Sequence, residues 1–214
     1  MKIYNTQFAT EIASDLLNIG AIKFSPHDPF TWASGWKSPI YCDNRLSLSF
    51  PKVRSKIKTA LSLAVSREFN EIDVIAGVAT AGIPQGALVA DELALPFIYV
   101  RSKSKGHGLQ NMIEGKIEKE QKVVLIEDLV STGGSSLAAV DALRQAGADV
   151  IGMVAIFTYG FEVSKKNFEA KNIDLVVLSD YHYLLGYAKD EQMFPYEILE
   201  TLKEWRKDPS TWML

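Results

Sequence analysis

The sequence predicts an α/β protein in which a parallel sheet carries helices on both faces. Three observations lead to this fold class. Short runs of apolar, mostly β-branched residues recur from residue 73 onwards, and such runs are typical of strands buried on both faces. Segments with helical spacing of apolar residues separate the runs. Alternating units of this length place parallel strands side by side through helical crossovers.

The first third of the chain precedes this alternation. A helix is predicted over residues 7–18, closed by Gly20, because glycine readily takes the left-handed conformation that ends a helix. Pro51 opens a second predicted helix, over residues 51–69, since proline is favoured in the first helical turn. Between the helices, residues 21–45 alternate aromatic side chains with small and turn-forming residues, a pattern that predicts short strands.

The remaining elements alternate as the fold class requires. Strands are predicted at residues 73–78, 96–100, 123–126, 150–157 and 175–178. Helices are predicted between and after them, including residues 82–93 and a helix that closes at Gly147. A polar loop is predicted over residues 101–120. No repeat, low-complexity tract or linker divides the chain, so residues 1–214 are predicted to form one domain.

Composition narrows the class of protein. The 214 residues carry a net charge of −3, which argues against a nucleic-acid scaffold. The single cysteine, Cys42, excludes internal disulfides and cysteine-rich metal sites and suits a reducing compartment. Residues 1–7 lack the apolar core of a signal peptide, and no apolar run is long enough to span a bilayer. We therefore expect a cytoplasmic protein that binds neither nucleic acid nor membrane.

The most informative segment is residues 123–136. Its apolar start predicts a buried strand, Glu127 and Asp128 end that strand, and a turn of Ser, Thr and Gly leads into a helix. Free N–H groups and the positive end of the helix dipole converge at such a turn and favour an anion. Carboxylates accept hydrogen bonds from sugar hydroxyls, so the acid pair and turn together indicate a ribose that carries a 5-phosphate. The alternative is a turn whose Gly and Ser serve only to reverse and cap the chain.

Two more turns should face the same pocket, because ligands bind outside the carboxyl ends of parallel strands. After Val78, the small residues of 79–87 allow close backbone approach to a second anion, and Gly82 can supply a positive φ or a strained peptide. A purely structural turn fits this stretch equally well. After Val100, residues 101–115 place basic side chains among Ser and Gly. Such a long loop is typical of an active-site lid, with a solvated charged loop as the alternative.

Three segments resemble one enzyme family. Residues 123–136 resemble the phosphoribosyl-diphosphate (PRPP) motif of the type I phosphoribosyltransferases. The pattern R-x-x-x-K-x-H-G ending in I-E-G, within residues 101–115, resembles the mobile catalytic loop of orotate phosphoribosyltransferases. Residues 30–43 look like that family's F-x-x-x-S-G-x-x-S-P-x-Y hood, which covers the base. The resemblance implies the type I phosphoribosyltransferase fold with a small N-terminal hood, roughly within residues 20–45.

The resemblance also implies an activity and its residues. The expected reaction transfers the phosphoribosyl group of PRPP to orotate, giving orotidine 5′-phosphate and diphosphate in pyrimidine nucleotide (UMP) synthesis. Lys105 and Asp128 are implied as catalytic residues. Ser131 and Arg45 are candidates for orotate binding. Mg²⁺ is expected as the cofactor, carried by PRPP without a direct metal ligand from the protein. The residues implied to bind PRPP are Arg101, Lys105, His107, Glu127, Asp128, Leu129, Val130, Ser131, Thr132, Gly133, Gly134 and Ser135.

Assembly and the base site follow from the same resemblance. In the family the mobile loop enters the neighbouring subunit's site, which implies a homodimer with shared active sites. The turn at 79–87 would hold the diphosphate. The chain lacks the Arg that some members carry in the stretch matching residues 157–161, and it has Ala33 and Ser102 where some members carry Lys. These departures leave PRPP binding intact and leave open which residue binds the orotate carboxylate.

Two other functions are weighed against this one. A purine-base phosphoribosyltransferase would not need the loop of residues 101–115 in this form. A non-catalytic, PRPP-sensing regulator of nucleic acid usually shows a basic surface or an added DNA-binding domain, and the net charge of −3 argues against it. In the hood, Trp32 and Trp36 suit either a wall for the flat base or ordinary packing.

Overall fold

The computed structural model describes residues 1–32, 34–102 and 112–212. The strands are β1 (Lys2–Ile3), β2 (Ile22–Phe24), β3 (Phe30–Thr31), β4 (Lys37–Ser38), β5 (Ile40–Cys42), β6 (Val74–Val78), β7 (Phe97–Val100), β8 (Ile113–Glu114), β9 (Lys122–Val130), β10 (Asp149–Thr158) and β11 (Leu175–Asp180). The helices are α1 (Thr6–Asn18), α2 (Pro51–Glu68), α3 (Gly82–Leu93), α4 (Gly134–Gln145), α5 (Glu162–Ala170), α6 (Tyr181–Asp190) and α7 (Tyr196–Lys207), with a 3₁₀ helix at Asn44–Ser49.

The main sheet has the order β1-β11-β10-β9-β6-β7-β8. Every neighbouring pair is parallel except β7 and β8, which are antiparallel. The predicted fold class is confirmed. Because strands β6, β7 and β9 run in the same direction, the turns that follow β6 and β9 and the loop that follows β7 leave the sheet at one edge.

Helices cover both faces of the sheet. Along β9, Val124 and Ile126 face a core shared with α1, α2, α3, α6 and α7. The alternate residues Val123 and Leu125 face a second core shared with α4 and α5. Strands buried on both faces need apolar residues at every position, which explains the continuous apolar runs. Within the residues that the structure describes, no helix combines the length and apolarity that crossing a bilayer requires.

The hood consists of two small antiparallel sheets, β2 with β5 and β3 with β4, so the predicted short strands are confirmed. Its Trp32 packs against the body of the protein, with ring centroids 5.0 Å from Tyr159 and 5.7 Å from Trp205. Trp36 contacts Phe161 edge-on at 6.4 Å. Both tryptophans therefore pack against the body of the protein, which is the second of the two roles considered for them.

Three elements differ from the prediction. β1 and β8 have two residues each, too few to create a periodic pattern. β9 extends to Val130, so Glu127 and Asp128 lie within the strand and not after its end. The reason is the long parallel partner β10, which pairs Glu127 with Ala155 and Leu129 with Phe157. A neighbouring strand outweighs the polarity of two residues.

A glycine in α6 offers a test of this fold. Gly186 is exposed, and a Cβ placed on it meets nothing within 4 Å. We expect Gly186→Ala to raise the free energy of unfolding by about 1 kcal/mol, because alanine favours the helix. Gly20→Ala is the matched control: it also has open space, but its φ is +73°, which alanine adopts poorly. Urea unfolding curves that rank the two variants in the opposite order would contradict this expectation.

Candidate active site

The acid pair lies at the centre of the sheet. Glu127 is 5% exposed, and both of its carboxylate oxygens are occupied by protein donors. Oε1 accepts a hydrogen bond from the backbone N–H of Asp128 at 3.0 Å, and Oε2 accepts one from the hydroxyl of Ser136 at 2.8 Å. Asp128 lies beside Glu127 and lines an open cleft. The geometry therefore leaves the carboxylate of Asp128 as the member of the pair that faces a ligand.

Burial changes the ionisation of the pair. It raises the pKa of Glu127 well above the ordinary value, and the negative charge of Asp128 adds to that effect. Burial also raises the pKa of Asp128, although hydrogen bonds and the nearby Arg45 oppose the change. Burying a carboxylate disfavours its charged form, and Arg45 offsets this effect only in part at Asp128. The pair thus keeps a proton more readily than two carboxylates in water.

We expect Glu127→Gln to stabilise the fold at neutral pH. A raised pKa in the folded state means that the native protein binds more protons than the unfolded chain above the unfolded glutamate pKa of about 4.5. Stability of the unsubstituted chain therefore falls as the pH rises through that range, whereas the amide does not titrate. Urea unfolding at pH 4 and pH 8 should show the advantage of Gln growing with pH; an advantage that shrinks would contradict the raised pKa.

The turn after β6 borders the same cleft. Ala79, Thr80 and Ala81 line it together with the acid pair. Gly82 does not have a positive φ, one of the two possibilities considered from the sequence. Glycine is required at this position because a Cβ there would collide with the carbonyl oxygen of Ile126. Close approach of this turn to β9 brings the two anion-binding candidates side by side. The peptide bond between Ala79 and Thr80 is cis.

The Ser/Thr/Gly turn after β9 leads into α4. Gly133 has a φ of +84° and precedes the first residue of the helix, and no side chain of the described residues caps this helix start. The backbone N–H groups of the first turn therefore face outward without a capping partner. From α5, the amide of Asn167 donates to the carbonyl oxygen of Thr132 at 3.0 Å. Asn167 thus fixes the backbone of the turn from the side of α5, and the N–H groups at the start of α4 remain available to an anion.

The hood ends at the cleft. Cys42, Asp43 and Arg45 line it with the acid pair, and the cleft encloses about 350 Å³. Arg45 donates from Nε and Nη2 to the two carboxylate oxygens of Asp43, at 2.6 and 2.8 Å. The hydrogen bonds from Arg45 lower the pKa of Asp43. Arg45 is thus placed at the cleft, with part of its guanidinium committed to Asp43 and its side chain 59% exposed.

Asn44 joins the hood to the acid pair. Its side chain is buried, and its amide donates to the backbone carbonyl of Asp128 at 2.7 Å. Its Oδ1 accepts from the thiol of Cys42 at 3.1 Å. Neither Asn44 nor Ser136 nor Asn167 was predicted as a site residue. Ser136 is the last residue of the motif and could have been included, but the other two reach the site from elements distant in sequence.

The basic loop begins and ends at the sheet edge. The N–H of Arg101 donates to the carbonyl of Met112 at 2.8 Å, directly beside the β7–β8 pair. The guanidinium of Arg101 lies 3.5 Å from the carboxylate of Glu114. The predicted residues Lys105 and His107 lie outside the described residues. The two described ends of the loop, Arg101 and Met112, thus lie beside β7, the strand next to β6 in the sheet.

The structure thus brings most of the predicted residues to one sheet edge. Those lining the cleft itself are Arg45, Glu127, Asp128, Leu129 and Ser135. Ser131, Thr132, Gly133 and Gly134 form the adjoining turn and helix start, and Val130 is buried beneath it. Within the described ranges, no group of three or more His, Cys, Asp or Glu side chains could hold a metal ion.

Comparison with known proteins follows this geometry. Residues 51–192 match the family model of the phosphoribosyl transferase domain. The orotate phosphoribosyltransferase of Porphyromonas gingivalis is 54% identical over 201 residues, which are 94% of this chain and 96% of that protein. The orotate phosphoribosyltransferase of Listeria monocytogenes is 56% identical over 202 residues, covering 94% of this chain and 97% of that protein.

Solved structures give the same grouping. The chain is similar to Leishmania donovani UMP synthase, with a TM-score of 0.78 and 27% identity, over 92% of this chain and 42% of that one. It is also similar to an orotate phosphoribosyltransferase from Aeropyrum pernix, with a TM-score of 0.73 and 27% identity, over 86% of this chain and 99% of that one. Sequence identity above one half along nearly the whole length, together with this fold, shows that the chain belongs to the orotate phosphoribosyltransferase family.

Proposed function

We propose that the protein transfers the 5-phosphoribosyl group of PRPP to N1 of orotate, giving orotidine 5′-phosphate and diphosphate in pyrimidine nucleotide synthesis. One observation carries the proposal: an acid pair, an uncapped helix start and a turn of small residues meet at one sheet edge. This combination suits a sugar with phosphates on both sides. The base, orotate, is inferred from the names of the relatives, which are orotate phosphoribosyltransferases.

The reaction depends on positioning of the substrates and on stabilisation of charge, and it requires no nucleophilic side chain. N1 of orotate displaces diphosphate from C1 of the ribose through a transition state with positive charge on the sugar. Asp128, whose carboxylate faces the cleft, accepts hydrogen bonds from ribose hydroxyls and lies near the developing charge. Glu127 is held by Ser136 and keeps the strand in place. N–H groups at the start of α4 hold the 5-phosphate.

The donor set suits Mg²⁺ that arrives with PRPP. Mg²⁺ usually keeps several waters and binds substrate phosphates. The carboxylate of Asp128 faces the cleft and can accept hydrogen bonds from those waters, whereas both oxygens of Glu127 already accept hydrogen bonds from the protein. When bound, the ion neutralises charge on the diphosphate leaving group. Arg101 at the start of the loop adds a cation on the same side, and we propose Lys105 and His107 as its partners there.

We further propose that the protein works as a homodimer in the cytoplasm. The loop of residues 101–115 starts and ends beside β7 and β8, the outermost strands on that side of the sheet. A loop anchored at the outer edge is suited to reach a neighbouring subunit, where Lys105 would complete the second site. The whole of residues 1–214 is proposed to form one domain.

The reaction itself is tested with a panel of bases. We expect diphosphate release when the protein is incubated with PRPP, Mg²⁺ and orotate, and none with adenine, guanine or hypoxanthine. Release with a purine but not with orotate would contradict the proposed substrate. PRPP binding without diphosphate release from any base would contradict an enzyme and favour a PRPP-sensing protein.

A glycine at the start of α4 tests the site of the 5-phosphate. We expect Gly134→Val to weaken binding of PRPP and of orotidine 5′-phosphate by about tenfold or more, the cost of losing a hydrogen bond to a charged group. Gly134 is exposed, and an added Cβ meets only the hydroxyl of Thr132 at 3.9 Å, so the fold should survive.

Gly133 is the poorer choice for this test, because its φ is +84° and an added Cβ would lie 2.7 Å from the ring of Phe168. Gly134→Ala serves as the milder control at the same position. Calorimetry that finds normal affinity of Gly134→Val for either ligand would move the 5-phosphate elsewhere.

A further inference from the structure

We propose that Asn44 is a positioning residue for the reaction: it holds the backbone of Asp128 and thereby fixes the direction of the carboxylate that faces the substrate. This inference rests on the proposed function, because it gives Asn44 an effect on catalysis through Asp128. Asn44 begins the 3₁₀ helix that follows the hood, and its neighbours in sequence, Asp43 and Arg45, line the cleft. Asn44 itself is 1% exposed, so it can act on a ligand only through other residues.

Asp128 lies beyond the last strand partner on the side of β6. The pairing of β6 with β9 ends where Gly77 lies opposite Ile126, two residues before Asp128. On the other side, β10 still pairs with Glu127 and with Leu129. Buried backbone groups that no neighbouring strand pairs need other hydrogen-bond partners. At this end of β9, those partners have to come from side chains.

Two side chains bind the two backbone groups of Asp128. The amide of Asn44 donates to its carbonyl oxygen at 2.7 Å, and Oε1 of Glu127 accepts from its N–H at 3.0 Å. These hydrogen bonds hold the peptide groups on both sides of the Asp128 Cα atom. Because the backbone has only two soft dihedral angles per residue, holding both peptide groups fixes the direction in which the Asp128 side chain leaves the strand.

The peptide group that Asn44 holds also contacts the carboxylate. It carries the carbonyl of Asp128 and the N–H of Leu129. Burial raises the pKa of Asp128, and hydrogen bonds, including one from the N–H of Leu129, oppose that change. A hydrogen bond to the carbonyl polarises the N–H of the same peptide group. Loss of the Asn44 amide would therefore disturb a donor to the carboxylate as well as the direction of the side chain.

Asn44 is itself held in place by the hood and by α3. Its Oδ1 accepts from the thiol of Cys42 at 3.1 Å. Its carbonyl oxygen accepts from the hydroxyl of Ser47 at 2.7 Å, and that hydroxyl accepts from the amide of Gln85 at 3.3 Å. Gln85 is buried in the first turn of α3, the helix that follows the turn of Ala79. These hydrogen bonds link the acid pair to the hood and to the second anion-binding candidate, so Asn44 has a fixed position from which to hold its partner.

The direction of the carboxylate matters because it acts on charge that develops in the transition state. Stabilisation of that charge depends on groups that are already oriented before the reaction begins. A misplacement of about 1 Å in such a site can cost on the order of 10² in rate. PRPP has further contacts at the start of α4 and at the turn of Ala79 in the proposed arrangement. Asn44 should therefore affect the turnover number more than the affinity for PRPP.

A double-mutant cycle tests whether Asn44 acts through Asp128. We expect Asn44→Ala to lower the turnover number about tenfold and to leave Kd for PRPP within about threefold. In the Asp128→Asn background, the same substitution should lower turnover by less than about twofold, because the charge that Asn44 directs is already absent. Steady-state kinetics at saturating substrates measure turnover, and calorimetry measures Kd.

Tyr181→Phe is the matched control. The hydroxyl of Tyr181 donates to the carbonyl oxygen of Leu202 at 3.1 Å within the core, so this variant also loses a side-chain hydrogen bond to a buried carbonyl. We expect it to lower the melting temperature and to leave turnover unchanged in both backgrounds. Asn44→Ser is the second variant at the site. Its hydroxyl is too short to reach the carbonyl of Asp128 but can bind water in the space left by the amide, and it should show the same pattern as Asn44→Ala.

Losses of turnover that are smaller in the Asp128→Asn background would support the proposal. Equal losses in both backgrounds, or full turnover in a folded Asn44→Ala enzyme, would overturn it. Failure of both Asn44 variants to fold would assign the residue a structural role and would also overturn it. An unsubstituted protein that binds PRPP but releases no diphosphate with orotate would instead refute the proposed function, and this inference with it.

Discussion

Asp128→Asn should lower the turnover number about tenfold or more, which corresponds to roughly 1.4 kcal/mol of transition-state stabilisation. The substitution keeps the size of the side chain and removes the charge that favours the ribose hydroxyls and the developing cation at C1. The carboxylate of Asp128 is the suitable target because both oxygens of Glu127 already accept hydrogen bonds from the protein. Steady-state kinetics with both substrates at saturation measure the effect.

Asp141→Asn provides the control for that experiment. Asp141 lies on α4, the helix that follows β9, and forms an ion pair with Lys171 at 2.8 Å. The variant therefore removes a carboxylate close in sequence to Asp128 that does not line the cleft. We expect its turnover to match that of the unsubstituted protein. If Asp128→Asn retained full turnover and full affinity for PRPP, Asp128 would be excluded from the site.

Mixing two inactive variants should restore activity if the active sites are shared. Lys105→Ala and Asp128→Asn homodimers should each be nearly inactive. In a heterodimer, one site carries both lesions and the other carries neither, provided that Lys105 acts in the neighbouring subunit. A statistical mixture should then regain about a quarter of the unsubstituted activity, for independent sites and free exchange of subunits.

Mass spectrometry must confirm that heterodimers have formed. Heterodimers without restored activity would mean that the loop acts within its own subunit. A mixture of Asp128→Asn with Gly134→Val serves as the control, because both residues belong to the same subunit's site in the proposed arrangement. No heterodimer of this pair contains an intact site, so the activity of that mixture should not exceed the average of the two homodimers.

Local patterns predicted most of the fold. α3 begins and ends where its spacing indicated, at Gly82 and Leu93, and Gly20 and Gly147 have the positive φ expected of helix ends. Such features depend on neighbours in sequence. The length of β9 depends instead on β10, a partner that a local pattern does not include, and so the strand was predicted four residues short of Val130 at its end.

The same distinction applies to the site. Residues of the motif, such as Glu127 and Asp128, were found because they adjoin one another in the chain. The groups that hold them were missed: Asn44 is 84 residues from Asp128, and Asn167 is 35 residues from Thr132. An asparagine that donates to a backbone carbonyl carries no signal in sequence, since any exposed asparagine looks the same. Only the assembled tertiary structure distinguishes it.

The two edges of the sheet limit how copies of this protein can associate. β1 and β8, the outermost strands, have two residues each. A short edge strand exposes few unpaired backbone groups, which is one of the ways in which proteins avoid edge-to-edge aggregation. Two copies joined by a continuous sheet would have almost nothing to pair. We therefore expect any dimer to be held by helices and loops, and a crowded solution of the protein to resist growth into fibrils through its sheet.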